Sequence, residues 1–267
     1  MEKLGIIAGA GELPVLLAKG ARDQGRLPVV IQITQNPPEQ LASVASEIYS
    51  IGIGKIQKVA RTFLNSGVYE IAIIGKIHKS ILFRPFLVDA AAVKILAMTR
   101  HKGVHAIIAA VIDYFESKKL SVIEQHRFLK DLMPQAGVLT KKQPDSSQWA
   151  DLRFGMQLAR QVANLDIGQT VVVRDQMSLA IEAIEGTDEA IRRGGKLGGE
   201  DIVVAKAAAS HHDFRIDVPT VGDETLKVLH EVNGSVLAVE AGRTFVMNRE
   251  ALCQQADQWN IAIVAVE

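Results

Sequence analysis

Short apolar runs alternate with stretches of helical spacing along the first half of the chain. Residues 4–8 read as a buried strand, and Pro14 suits the first turn of a helix that runs to about residue 24. The pattern predicts a second strand over 27–33, a helix over 55–64 and a third strand over 71–74 that ends at Gly75. Helices are predicted over 88–98 and 105–118, and another strand over 120–123. Strands alternating with helices predict a parallel sheet covered on both faces.

The second half is patterned differently. A helix is predicted over 149–163, then a strand pair over 170–173 and 178–184. Thr187-Asp188 opens a short helix, and Lys206 ends a strand over 202–205. Helix, strand, helix and closing strand follow at 224–232, 236–239, 249–259 and 261–266. Residues 134–147 carry two prolines, a glycine and two serines, the composition of a linker. The expectation is an α/β protein. A Rossmann-like, parallel-sheet N-terminal domain spans 1–134, a linker 135–147, and a mixed α/β C-terminal domain 148–267.

One stretch stands out within the second half. In Asp213-Phe-Arg-Ile-Asp-Val-Pro-Thr-Val-Gly222, Phe214, Ile216 and Val218 alternate with Asp213, Arg215 and Asp217. Period two predicts an extended segment with one apolar and one charged face. Pro219 restricts Val218 and ends sheet pairing. Two carboxylates would then flank an arginine at the mouth of a strand-to-helix turn, where α/β folds bind ligands. Aspartates there can hold a divalent cation, orient a water or accept a proton.

Composition narrows the function classes. Apolar residues make up 48% of the 267, enough for a substantial core, and the 30 basic and 30 acidic residues cancel. Balanced charge argues against nucleic acid as a main partner. A single cysteine, Cys253, excludes an internal disulfide framework and a cysteine-rich zinc site, and fits a reducing cytoplasm. The opening Met-Glu-Lys-Leu-Gly does not read as a signal peptide. The apolar stretch 104–112 falls short of the ~20 residues that span a bilayer.

Several local patterns could carry chemistry. Gly9-Ala-Gly11-Glu12-Leu-Pro14 follows a strand and opens a helix, so it reads either as a tight turn or as an anion-binding loop. Pro14 stands where the third glycine of the dinucleotide fingerprint belongs, and no acidic residue ends the second strand, which argues against NAD. Glu185-Gly-Thr187-Asp188 is either a capped turn or a ligand loop. Lys206 is either solvated or a phosphate-binding point charge, and Arg215 either contacts a ligand or neutralises Asp213 or Asp217. His101 and His105 lie four apart without the metalloprotease glutamate, and His211-His212 reads as a surface loop. Neither a Gly-x-Ser-x-Gly elbow nor a Walker loop occurs. Residues 81–86 and 88–98 are unusually apolar, as helix core, an acyl-chain wall or a homodimer contact.

Five separate segments together resemble one family: the two-domain α/β UDP-2,3-diacylglucosamine pyrophosphatases of lipid A biosynthesis, as distinct from the calcineurin-like metallophosphoesterases. They are Leu4-Gly-Ile-Ile-Ala-Gly-Ala-Gly-Glu-Leu-Pro14, Leu165-Asp-Ile-Gly-Gln169, Glu185-Gly-Thr-Asp-Glu-Ala-Ile-Arg-Arg193, Arg215-Ile-Asp-Val-Pro-Thr-Val-Gly222 and Val239-Glu-Ala-Gly-Arg243. The resemblance implies hydrolysis of UDP-2,3-diacylglucosamine to UMP and 2,3-diacylglucosamine 1-phosphate, with attack on the glucosamine-side phosphorus. It implies a divalent cation, usually magnesium, with Asp217 as catalytic aspartate; Asp217 and Asp188 are then the candidate metal ligands, or Asp217 orients the water as base. Gly11, Glu12, Gly75, Thr187, Lys206 and Arg215 form the expected substrate-binding set. The expected setting is the cytoplasm, at the inner-membrane surface where the lipid substrate lies, on the route to the Gram-negative outer membrane. One departure is clear. Ala207-Ala-Ala-Ser-His-His212 replaces a run in which the family carries a second lysine, prolines and a glutamine, so that phosphate contact is either lost or taken over by His211 or His212.

Overall fold

The computed structural model describes residues 2–34, 38–76, 88–100 and 104–267. They form two compact units. The first comprises residues 1–129 together with 213–217, and the second comprises 130–212 and 218–267. Among the described residues no helix is long and apolar enough to cross a membrane.

The first unit is built on five parallel strands: β1 (Lys3–Ala8), β2 (Leu27–Gln32), β3 (Glu47–Ser50), β4 (Glu70–Ile74) and β5 (Ser121–Val122). Their order is β3-β2-β1-β4-β5, so the winding direction reverses between β1 and β4. Strand β3 is absent from the periodic reading because it is short and mostly exposed, with no buried stripe to announce it. Odd-numbered strand residues Ile7, Val29 and Ile31 pack with α3 (Ile56–Asn65), α4 (Ala90–Met98) and α5 (Val104–Ser117). The alternate residues Leu4, Ile6 and Val30 are fully buried too, as are Leu17, Ala18 and Ala21 of α1 (Leu13–Asp23), while the short α2 (Leu41–Val44) follows β2. Pro14 sits in the first turn of α1, where its missing N–H costs nothing.

Asp89 caps α4 through Ala92 N–H and also accepts from Gln57 N–H at the start of α3. On α4, Ala91, Ala92 and Ile95 are core, whereas Val93, Leu96 and Met98 are exposed. The apolar run 81–86 and His101 lie outside the described residues, as does the side chain of His105.

Glu70 opens β4 and accepts hydrogen bonds from Arg26 (2.7 Å) and Arg127 (2.8 Å). Burial pushes its pKa up, but the two guanidinium groups more than reverse this and hold it below the ordinary carboxylate value. A folded pKa below the unfolded one contributes stability above about pH 4.3, lost as pH falls through the folded value. Glu70→Gln is therefore expected to lower stability at pH 7 and to match the wild type near pH 3, in urea melts at both pH values.

The second unit carries a six-stranded mixed sheet of order β6-β13-β11-β9-β7-β8. Its strands are β6 (Gly137–Val138), β7 (Thr170–Arg174), β8 (Met177–Ile181), β9 (Val203–Lys206), β11 (Val236–Glu240) and β13 (Ala262–Val266). Strands β9, β11 and β13 run parallel, whereas β6, β7 and β8 pair antiparallel with their neighbours. A two-residue parallel ladder joins β10 (Thr220–Val221) to β12 (Phe245–Val246). Val171, Val173, Val203, Ala205, Val236 and Ala238 face α6 (Ser146–Asn164). The alternate positions Val172, Val204, Leu237 and Val239 face α7 (Thr187–Gly198), α8 (Asp223–Glu231) and α9 (Arg249–Gln258). Both sheet faces are thus apolar, which is why these strands read as continuous runs.

Two expectations are corrected here. The stretch 135–147 does not behave as a loose linker: it supplies edge strand β6, paired with β13, and the Asp145 capping box of α6. The segment 213–218 is not an extended strand. Residues 214–216 form a turn, in which the Asp213 carboxylate accepts the Arg215 N–H at 3.0 Å and the Asp213 carbonyl accepts from Ile216 N–H at 2.9 Å. The alternation of apolar and charged residues was real, but an aspartate able to bond the backbone two residues on favours a turn over a strand.

Candidate active site

In the second unit, three adjacent strands bring one polar row to the carboxyl end of the parallel strands. Lys206 ends β9 and pairs in register with Thr170 at the start of β7, and Glu182 follows β8 with its N–H bonded to the Thr170 carbonyl at 2.8 Å. Thr187 opens α7 beside them. The Lys206 ammonium donates to Thr187 Oγ1 at 2.7 Å and to Thr170 Oγ1 at 3.4 Å, and lies 4.0 Å from Glu182. Thr187 Oγ1 in turn donates to Glu182 Oε1 at 3.1 Å. Lys206 is 6% exposed, so the reading as a solvated lysine is set aside. A nearly buried ammonium needs a counter-charge, and Glu182 supplies it. The start of α7 adds the positive end of its dipole. Asp188 lies in that first turn, after Gly186 at the N-cap with φ of 89°.

Glu240, at the end of β11, is also buried. It accepts from Arg160 Nε at 2.6 Å, Arg243 Nε at 3.2 Å and the Ala208 N–H at 2.9 Å. It therefore fixes the altered run 207–209 directly after Lys206. Neither Glu182 nor Glu240 belonged to the expected site set. The Val239–Arg243 segment signalled Glu240, and Glu182 had no local signal.

In the first unit, the glycine loop after β1 lies where the strand order reverses. Gly9 N–H bonds the Ile74 carbonyl at 2.8 Å, and Ala10 and Lys76 form a two-way bridge of 2.9 and 2.8 Å. Gly75 has φ of 99°, and a Cβ there would stand 2.9 Å from the Ala10 carbonyl oxygen, the Gly9 carbonyl carbon and Pro14 Cγ. Gly11 has φ of 92° but faces open space, and Glu12 beside it is exposed at the N-cap of α1. Gly75→Ala is expected to cost roughly 1–3 kcal/mol by overpacking, whereas Gly11→Ala costs only about 1 kcal/mol of backbone strain. Equal midpoints for the two variants in urea unfolding would contradict the close-approach account.

The turn that carries Asp217 also belongs to this unit. Asp217 is exposed, and the following Val218 is buried. Arg215 is held by Asp213, with Nε at 2.9 Å and the second terminal nitrogen at 2.7 Å, and by Glu116 of α5 at 3.0 Å. The hydrogen bond to Asp213 pushes its pKa above the ordinary guanidinium value. Arg215 thus takes up the neutralising role. His211 is exposed and His212 half-buried. Among the described residues, no three His, Cys, Asp or Glu gather as a metal cluster. A cation here would draw on one or two carboxylates and on substrate phosphate oxygens, which is the pattern magnesium favours.

Comparison with known proteins identifies the family. The LpxI N-terminal domain family matches residues 3–132 and the LpxI C-terminal domain family residues 135–264. The UDP-2,3-diacylglucosamine pyrophosphatase LpxI of Caulobacter vibrioides is 30% identical over 278 aligned positions, covering 100% of this chain and 98% of that protein. Weaker likenesses include the N5-carboxyaminoimidazole ribonucleotide synthetase of Thermotoga maritima, 19% identical with a TM-score of 0.26, covering 69% of this chain and 42% of that one. A biotin carboxylase subunit of pyruvate carboxylase is 14% identical with a TM-score of 0.29, covering 74% of this chain and 43% of that one. The chain spans less than half of either structure, and at these scores neither carries an argument. The full-length relationship does: this chain belongs to the LpxI family.

Proposed function

We propose that this protein hydrolyses the diphosphate of UDP-2,3-diacylglucosamine, releasing UMP and 2,3-diacylglucosamine 1-phosphate for lipid A biosynthesis. The observation that carries the reading is the end-to-end relationship to a protein named for that activity. The chemistry of the residues supports it. Cleaving a diphosphate requires charge neutralisation and an in-line water. In the second unit the Lys206 ammonium and the start of α7 at Thr187 suit a phosphate; in the first unit, taken by itself, the start of α1 beside Gly11 and Glu12, with the Gly75 turn, suits an anion.

Asp217 is assigned the water: its carboxylate accepts the proton as the water oxygen bonds to the glucosamine-side phosphorus. The bond from that phosphorus to the bridging oxygen breaks, and UMP leaves with the bridging oxygen. A divalent cation, when bound, would neutralise phosphate charge, with Asp188 as a candidate ligand; service of Asp217 as a cation ligand is the alternative to its role as base. Arg215, expected in the substrate-binding set, is assigned to support of the Asp217 turn. The exposed Val93, Leu96 and Met98 of α4 are suited to an apolar neighbour, such as the inner-membrane surface from which a diacylated substrate comes.

The test is direct. Purified protein with magnesium should release UMP from labelled UDP-2,3-diacylglucosamine. Intact substrate that nevertheless binds would make a non-catalytic nucleotide-sugar binding protein the better reading, and quenching of NADH fluorescence would favour an oxidoreductase.

A further inference from the structure

The peptide that joins Ile216 to Asp217 is held on both edges. Its carbonyl, on Ile216, accepts the side-chain amide of Gln125 at 3.1 Å, and its N–H, on Asp217, points to the Asp213 carbonyl at 3.4 Å. The backbone N–H of Gln125 also bonds the Phe214 carbonyl at 3.1 Å. Gln125 is 5% exposed, in a 3-10 turn (Gln125–Phe128) that directly follows β5. A buried primary amide is costly unless bonded, so its place is fixed by what it bonds. The neighbours reinforce the grip: His126 meets the Phe214 ring edge-on at 5.7 Å, and Ile216 packs against the first unit's core.

We propose that Gln125 is a positioning residue for Asp217. It supplies two donors, one backbone and one side chain, to alternate carbonyls of a five-residue turn, so the main chain that carries Asp217 is held by the β5 end of the first sheet. Arg215 completes the device by tying the same turn to Glu116 of α5. The inference rests on the reading of Asp217 as the catalytic aspartate. A displacement of about 1 Å at a reacting group costs on the order of a hundredfold in rate.

Gln125→Met tests this with side-chain volume retained and the donor removed. The variant is expected to lose kcat by about ten- to a hundredfold, with KM within twofold and an unchanged melting temperature. Amide exchange over 213–217 should rise while exchange elsewhere stays as in the wild type. Full kcat with unaltered exchange overturns the inference, and so does a rise in KM alone, which would make Gln125 a substrate contact. A kcat loss matched by a global rise in exchange and a lower melting temperature also overturns it, as a merely structural role. If wild-type protein releases no UMP, the hydrolase reading is what fails. Exchange at 213–217 then decides the anchoring alone: raised in Gln125→Met, the anchor stands; unchanged, it falls.

Discussion

Asp217→Asn is expected to lower UMP release by about 10²–10⁴-fold, the range typical for removing a general base. The amide keeps the shape of the side chain but can neither accept the water's proton nor give a cation an anionic oxygen. Asp217 is exposed, so the substitution buries nothing and leaves no cavity. Its N–H contact to Asp213 and the Gln125 bond to Ile216 involve backbone atoms that the variant retains. Substrate binding and melting temperature should therefore stay close to those of the wild type. Circular dichroism melts and ligand titration beside the kinetic assay separate lost chemistry from lost fold.

Lys206→Met should act on stability and activity together. The methionine keeps the aliphatic stem but leaves Glu182, with its side chain 14% exposed, facing Thr187 without its counter-charge. Breaking such a pair from one side costs about 3 kcal/mol, a large part of the roughly 5–15 kcal/mol that holds a domain folded. Losing a charge-assisted hydrogen bond to phosphate, about 3 kcal/mol, should also lower kcat/KM by about a hundredfold. Adding Glu182→Gln removes the stranded carboxylate. The double variant should regain most of the stability and none of the activity. Urea melts and steady-state kinetics on the three proteins check this, and a single variant with wild-type stability and kcat/KM would contradict the role of the cluster.

The fold was legible where both sheet faces are covered. Strands β1, β2, β4, β9, β11 and β13 are short apolar runs between helical patterns, and the helices between them carry clear stripes. What escaped notice has physical causes. Strands β3 and β6 are short and lie at sheet edges, so little of either is buried to produce a pattern. Glu182 escaped because a bulge between Val172 and Val173 shifts the β7–β8 register. Counting back from the Asp175-Gln176 turn without that extra residue sets Ile181 opposite Thr170 and turns Glu182 to the wrong face. Period-two alternation does not distinguish a strand from a turn closed by an aspartate side chain, as Asp213 closes this one. Lys206 and Thr187 were singled out from their positions at a strand end and a helix start, and the structure brings them within 2.7 Å of each other.

The most direct test of the central claim is hydrolysis of UDP-2,3-diacylglucosamine in ¹⁸O-labelled water with magnesium, comparing wild type and Asp217→Asn. The account predicts label in the phosphate of 2,3-diacylglucosamine 1-phosphate, none in UMP, and almost no turnover by the variant. Label in UMP, or turnover by the variant at the wild-type rate, would contradict it.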